Sequence, residues 1–343
     1  MRRITLCIVC LLMVSCLQAL CQTKAETIKE IRKLYAEAKE KVEKNGKNGQ
    51  SPKDMRIVLN RLEDEDIPLY DMEQLDFFFD ETTKDRIAVK QPYFIVENWS
   101  NHGHTRYHEI LLDPKTHRVR FCYMRGETDA GFVVESRYYY DNQGRCIEEK
   151  ANNTWTSQEA EKENAANFMK IFEMATYNGY FTPLDTDTPA KTVSPKAERM
   201  KHIRTLYAKA KAKIAANDKK EMSDDLHIIL HDLGDDQPPR TTKTRMYFDG
   251  DGIYFINQQS SSMQMEGYSE LLFEPKSKDL IFSYSRGAEE GQVYEWRYYF
   301  DENGTCIETK TKNTDETDEG FYDKRSAKDY QALYQEITEK LQK

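Results

Sequence analysis

The chain contains one twelve-residue stretch twice: Arg137-Tyr-Tyr-Tyr-Asp-Asn-Gln-Gly-Arg-Cys146-Ile-Glu148 and Arg297-Tyr-Tyr-Phe-Asp-Glu-Asn-Gly-Thr-Cys306-Ile-Glu308, with eight of twelve positions identical. Each copy reads as a β-hairpin, because an aromatic and β-branched run stops at Asp-x-x-Gly and resumes as Cys-Ile-Glu. Gly144 and Gly304 stand where such a loop needs a left-handed residue. The likeness extends outward: Tyr107-His-Glu-Ile-Leu-Leu-Asp-Pro-Lys matches Tyr268-Ser-Glu-Leu-Leu-Phe-Glu-Pro-Lys at an offset of 161, and Ile31, Leu34, Tyr35 and Ala38 match Ile203, Leu206, Tyr207 and Ala210 at 172. The first copy is therefore longer by about a dozen residues, and most of the excess falls in a polar stretch between Asp80 and Tyr93. A period this long signals a duplicated domain, since solenoid repeats run to only ~20 to 50 residues.

Within each copy the pattern predicts a helix, then strands, then a helix. The first helix covers about Lys24 to Lys44, with Thr23 and Glu26 as a capping box. A short segment carrying Ile57, Leu59 and Leu62 fits either helix or extended chain. Six strands follow between Leu75 and Lys150, joined by hairpin-length connections that favour an antiparallel meander. A helix from about Ser157 to Tyr177, capped by Thr156 and Glu159, closes the copy. The expected fold class is α+β: two homologous domains, each an N-terminal helix, an antiparallel β-meander and a closing helix, with the helices on one sheet face. The expected boundaries are a signal peptide at 1–21, domain one at 22–179, a Thr- and Pro-rich linker at 180–195 and domain two at 196–343.

Composition supports export and narrows the partners. Arg2 and Arg3 precede a nearly unbroken apolar run from Ile4 to Leu20, the pattern of a secretory leader. The expected location is periplasmic or secreted, or alternatively the outer membrane if Met13-Val-Ser-Cys16 acts as a lipobox and Cys16 is lipidated. The formal charge is −9 for the whole chain. An acidic surface argues against a nucleic-acid partner. Four of the seven cysteines lie in the leader, leaving Cys122, Cys146 and Cys306. An odd number excludes a fully paired framework, so the choices are a Cys122–Cys146 bridge or three buried thiols.

In leader style and in its lysine- and tyrosine-rich duplicated layout, the chain resembles uncharacterised exported tandem-domain proteins of Bacteroidota. Its element order is similar to cystatin-like and NTF2-like folds, in which a helix packs across a curved meander. Neither resemblance carries a functional residue across.

Three constellations are candidates for chemistry. His102, His104 and His108 share one strand face, the geometry of a metal site, and the second copy has Met263, Met265 and Ser269 there, a donor set that suits copper; otherwise the polar, Gly-containing stretch from Asn101 to Arg106 is an exposed loop with uncommitted histidines. Glu135, Arg137 and Tyr139, repeated as Glu295, Arg297 and Tyr299, alternate onto one face that could stack a sugar or grip a peptide; otherwise this is a salt-bridged face turned to solvent. Arg125 and Arg286 each end a strand, where a guanidinium can pin an anion or pair with the nearby Glu127 or Glu289. Asp249-Gly-Asp-Gly252 reads as a tight turn, because the remaining ligands of a calcium loop are missing. His227 and His231 lack a third ligand.

No phosphate loop, nucleophile elbow or zinc-protease helix motif is present. The functional expectation is an exported, non-catalytic binding protein without a cofactor, whose partner is a macromolecule, glycan or peptide. The alternatives are a hydrolase of an exported polymer or a copper carrier.

Overall fold

The computed structural model describes residues 24–47, 52–62, 70–84, 87–101, 104–128, 131–152, 156–176, 194–219, 225–233, 239–250, 252–262, 265–289, 291–314, 318 and 320–341. The expected leader, Cys16, His102, Met263 and nearly all of the Thr/Pro linker lie outside them. Helix α1 spans residues 24–44. Then come β1 (Asp54–Leu62), β2 (Tyr70–Lys84), β3 (Ile87–Asn101), β4 (His104–Leu112), β5 (Val119–Glu127), β6 (Val133–Tyr140), β7 (Cys146–Asn152) and α2 (Gln158–Thr176). The second half holds α3 (Lys196–Asn217), β8 (Asp225–Leu233), β9 (Pro239–Asp249), β10 (Gly252–Ser261), β11 (Met265–Phe273), β12 (Leu280–Glu289), β13 (Gln292–Phe300), β14 (Cys306–Lys312) and α4 (Phe321–Leu341). Among the described residues no helix is long and apolar enough to cross a membrane.

The sheet overturns the expected class of two separate α+β domains. The fourteen strands among the described residues form one antiparallel sheet in the order β14-β13-β12-β11-β10-β9-β8-β1-β2-β3-β4-β5-β6-β7. The segment with Ile57 and Leu59 is strand β1, and it pairs antiparallel with β8 so that Ile57 lies opposite Ile228. An apolar edge of this kind invites pairing when left open. Here each half closes the other's edge. The outer strands β7 and β14 instead carry Glu148, Glu149 and Lys150, and Glu308, Lys310 and Lys312, charges that discourage further strand addition.

Helices cover both faces, not one. Phe168, Ile171 and Phe172 of α2 and Ala327, Leu333 and Ile337 of α4 join inward residues of both halves, among them Phe77, Tyr138, Phe273 and Phe300, in a single buried cluster. On the opposite face α1 sets Ile28, Ile31 and Ala38 against Phe94, Leu111 and Phe121, while α3 sets Met200, Ile203 and Ile214 against Phe255, Leu272 and Phe282. Each fully buried aliphatic or aromatic side chain here is worth about 1.5–3 kcal/mol. Strand sequences reflect this double cover: β4 is half-exposed at His104 and buried on both faces from His108 to Leu112. The helices thus sit over one end of the strands, and the more polar end stays accessible.

Local features follow the turn chemistry. Asp141 Oδ1 accepts from the amides of Gln143 and Arg145 at 2.9 Å each, and Asp301 Oδ1 from Asn303 at 2.8 Å and Thr305 at 2.9 Å. Gly144 and Gly304 take φ of 79° and 74°, as the hairpin requires. The polar stretch between Asp80 and Tyr93 extends the β2–β3 hairpin, with Asp80 opposite Gln91, whereas Asp249 pairs directly with Gly252. Ser157, not Thr156, caps α2, its Oγ accepting from the Ala160 amide at 3.3 Å. Cys122, Cys146 and Cys306 are free thiols. Cys122 and Cys146 lie on β5 and β7, with β6 between them, so no bridge forms.

Candidate functional site

On the face covered by α1 and α3, each half builds the same arrangement where the helix ends and the open strand surface begins. In the second half, Tyr207 from α3 and Tyr268 from β11 both donate to the Glu270 carboxylate, Tyr207 at 2.5 Å, and Lys211 lies 2.9 Å from it. In the first half, Tyr35, Tyr107 and Lys39 hold Glu109 in the same way, with Lys39 at 2.6 Å. The two carboxylate side chains are each only 3% exposed. Burial alone would raise the Glu109 carboxyl, but Lys39 and the two phenols outweigh it and hold it below the usual range. Burial, followed by the bond to the adjacent carboxylate, pushes all four tyrosines up. In each half one carboxylate is thus held by three donors.

A cavity of about 410 Å³ opens beside it in the second half, lined by Ile203, Arg204, Tyr207, Phe282, Tyr284, Arg297 and Tyr299. That volume suits a small ligand. The repeat offsets place Ile31, Arg32, Tyr35, Phe121, Tyr123, Arg137 and Tyr139 at the equivalent positions of the first half, so all seven lining residues are identical. The geometry is kept as well. Ring centroids stand 5.2 Å apart for Tyr207–Phe282 and 4.9 Å for Tyr35–Phe121, and 5.0 Å for both Phe282–Tyr299 and Phe121–Tyr139. Arg297 lies over Tyr284 at 5.0 Å and Arg137 over Tyr123 at 5.2 Å, a cation–π contact in each half.

No family model, curated protein or solved structure matches this chain. The comparison that does inform the site is internal. Positions that line the cavity stay the same in both halves, while buried polar positions under α2 and α4 differ: His108, Cys122 and Glu97 correspond to Ser269, Ser283 and Gln258.

The expected site residues are distributed unevenly. Glu135, Arg137 and Tyr139, and their counterparts Glu295, Arg297 and Tyr299, do share one face, but Tyr139 and Tyr299 are buried under α1 and α3. Arg137 and Arg297 each pair with the glutamate two residues earlier, the latter at 2.8 Å. Arg125 and Arg286 lie further out on the same face, where Arg286 lines a separate groove of about 350 Å³ with Lys243, Glu266 and Tyr268. The expected histidine triad is not assembled among the described residues: His104 sits half-exposed near the start of β4, while His108 is buried on the α2 face among acidic partners. His227 lies 2.9 Å from Asp225, part of a charged patch at the junction of the halves.

Sequence reasoning did not single out Arg32 and Arg204 or the Tyr–Glu–Lys networks. Their signal was present, because asking which polar residues recur in both copies finds every one of them.

Proposed function

We propose that the chain is a non-catalytic binding protein carrying two equivalent clefts, each of which accepts a small ring-bearing carboxylate. The observation that carries this reading is the identity of all seven cavity-lining residues between the halves, kept while other buried polar positions changed. The wall is aromatic, as ring stacking needs. The charged groups on it, Arg204 and Arg297, are guanidiniums, which bind carboxylate or phosphate in bidentate fashion. The neighbouring Glu270 is occupied by three donors and so serves as a brace for Tyr207. Two equivalent clefts on one sheet would also bind a repeating ligand, such as an acidic glycan, more tightly than either alone.

The test is titration calorimetry and native mass spectrometry with a panel of ring carboxylates and uronic acid oligomers. The expected result is two equal sites per chain for a monomeric ligand, with Arg204→Ala plus Arg297→Ala removing one and Arg32→Ala plus Arg137→Ala removing the other. Each pair should weaken its cleft by about tenfold or more, since a charged hydrogen bond is worth roughly 1.5–3 kcal/mol. Binding that ignores both pairs of substitutions, or no binding across the panel, would count against the reading.

A further inference from the structure

On the other face of the first half, under α2, lies a cluster that the clefts do not use. His108 of β4, Cys122 of β5 and Glu161 of the first turn of α2 place one imidazole nitrogen, one sulfur and one carboxylate oxygen within 4.8 Å of one another. All three residues are at most 1% exposed. His108 Nε2 lies 2.6 Å from Glu161 Oε2, an ion contact that lacks hydrogen-bond alignment, and among the described residues neither atom has another hydrogen-bond partner. Each of these atoms thus has only the other, and a buried polar pair without hydrogen-bond geometry is costly unless something further satisfies it.

An outer layer is also in place. Glu97, directly opposite His108 on β3, sets its Oε2 3.4 Å from His108 Nδ1, the carboxylate-on-imidazole support that metal-ligating histidines use. Glu97 is in turn held by Arg106 through bonds of 3.1 Å and 2.5 Å. The charges close: two carboxylates and a thiolate balance one guanidinium and one divalent ion, which removes the penalty of burying net charge.

The second half shows what this place looks like without such a demand. Its equivalents are Ser269, Ser283, Asp323, Gln258 and Gly267, a change at every position. There the Ser283 hydroxyl donates to Asp323 at 2.8 Å, and Gln258 donates to Thr244 at 3.1 Å and to the Tyr330 hydroxyl. That network satisfies itself.

We infer that His108, Cys122 and Glu161 form a divalent-metal site that joins α2 to β4 and β5 in the first half only. The mixed nitrogen, sulfur and oxygen set is one that zinc takes, and Nε2 and Oε2, 2.6 Å apart here, move to roughly 3.3 Å when both ligate the ion tetrahedrally. Complete burial assigns the ion a structural role, held as long as α2 stays docked. The site retains His108 from the expected histidine triad but draws its other ligands from two different elements.

Cobalt(II) added to chelator-treated full-length chain tests this, because a cobalt–thiolate bond gives a near-ultraviolet charge-transfer band. One equivalent should bind with that band, and zinc should displace it and raise the melting temperature. Cys122→Ser should abolish the band, and Glu161→Gln should weaken binding by tenfold or more. Asp323→Asn, at the matching position of the second half, should leave the cobalt band and the size of the zinc-induced thermal shift unchanged. The wild-type chain provides the decisive measurement even if a variant folds poorly: no cobalt band and no thermal shift with zinc would overturn the inference, as would a band that survives Cys122→Ser.

Discussion

Asp323 shows how far a single residue's environment decides its worth. It replaces Glu161 at the start of α4, and its carboxylate has Ser283 as a partner where Glu161 has His108. Burial raises its pKa above the ordinary 3.8, with the Ser283 hydrogen bond opposing. The native state therefore holds this proton more tightly than the unfolded chain does. The stability this group contributes is full below the ordinary value and is lost as pH rises through the raised one, so at neutral pH the ionised carboxylate is a cost. Asp323→Asn should raise the melting temperature at pH 7 by about 2 °C, the scale of a change of about 1 kcal/mol in a large domain. The gain over wild type should close as pH falls below 3.8. A scan of melting temperature against pH checks both the sign and the window; a loss of stability at pH 7 would mean the hydrogen bond to Ser283 outweighs burial.

At the scale of elements, glycines separate backbone cost from packing cost. Gly144 takes φ of +79° with open space around a would-be Cβ, whereas Gly320, at φ +73°, would bring its Cβ to 2.5 Å from Phe300 Cζ. Phe300 is fully buried and cannot step aside. Gly144→Ala should therefore cost about 1 kcal/mol, the price of a left-handed backbone, and Gly320→Ala about 3 kcal/mol, because overpacking adds to it. Urea titration of the two variants measures the gap. The Gly144 turn was legible in the sequence, and so were most strands, β4 with both its ends, since turn residues and period-two alternation are local signals. Double helical cover was not read, although Ile110-Leu111-Leu112 is the unbroken apolar run that a strand buried on both faces shows. The site was legible only in its strand portion: Arg137 and Tyr139 are neighbours in sequence, but Tyr35 meets Glu109 across 74 residues, and His108 meets Cys122 and Glu161 from three separate elements. Contacts of that kind leave no spacing to read.

The joining of the two halves is a property of the whole molecule, and it follows from one self-complementary register. At an offset of 171, Met55, Ile57 and Leu59 of β1 correspond to Leu226, Ile228 and Leu230 of β8. The observed pairing sets Met55 opposite Leu230, Ile57 opposite Ile228 and Leu59 opposite Leu226. Exchanging the two copies thus returns the same pairs, which is the isologous pattern of a two-fold dimer built into one chain. No strand sequence names its partner, so two separate sheets were the natural expectation; an apolar edge strand with an equivalent in the same chain makes one sheet the lower-energy outcome. The same reasoning predicts the behaviour of half a chain. Residues 22–179 alone would leave the β1 edge open, and a second copy can supply the missing neighbour with Ile57 opposite Ile57. The half-chain should be a dimer by native mass spectrometry. In that dimer Val58 would face Arg56 of the other copy, so Val58→Lys sets like charges opposite each other twice and should shift the half-chain toward monomer. In the full chain Val58 faces His227, whose neighbour on the patch is Asp225, and the same substitution should leave the fold intact. A monomeric wild-type half-chain, or a dimer indifferent to Val58→Lys, would show that the sheet is held together by α2 and α4 packing over the junction and not by the register of β1 and β8.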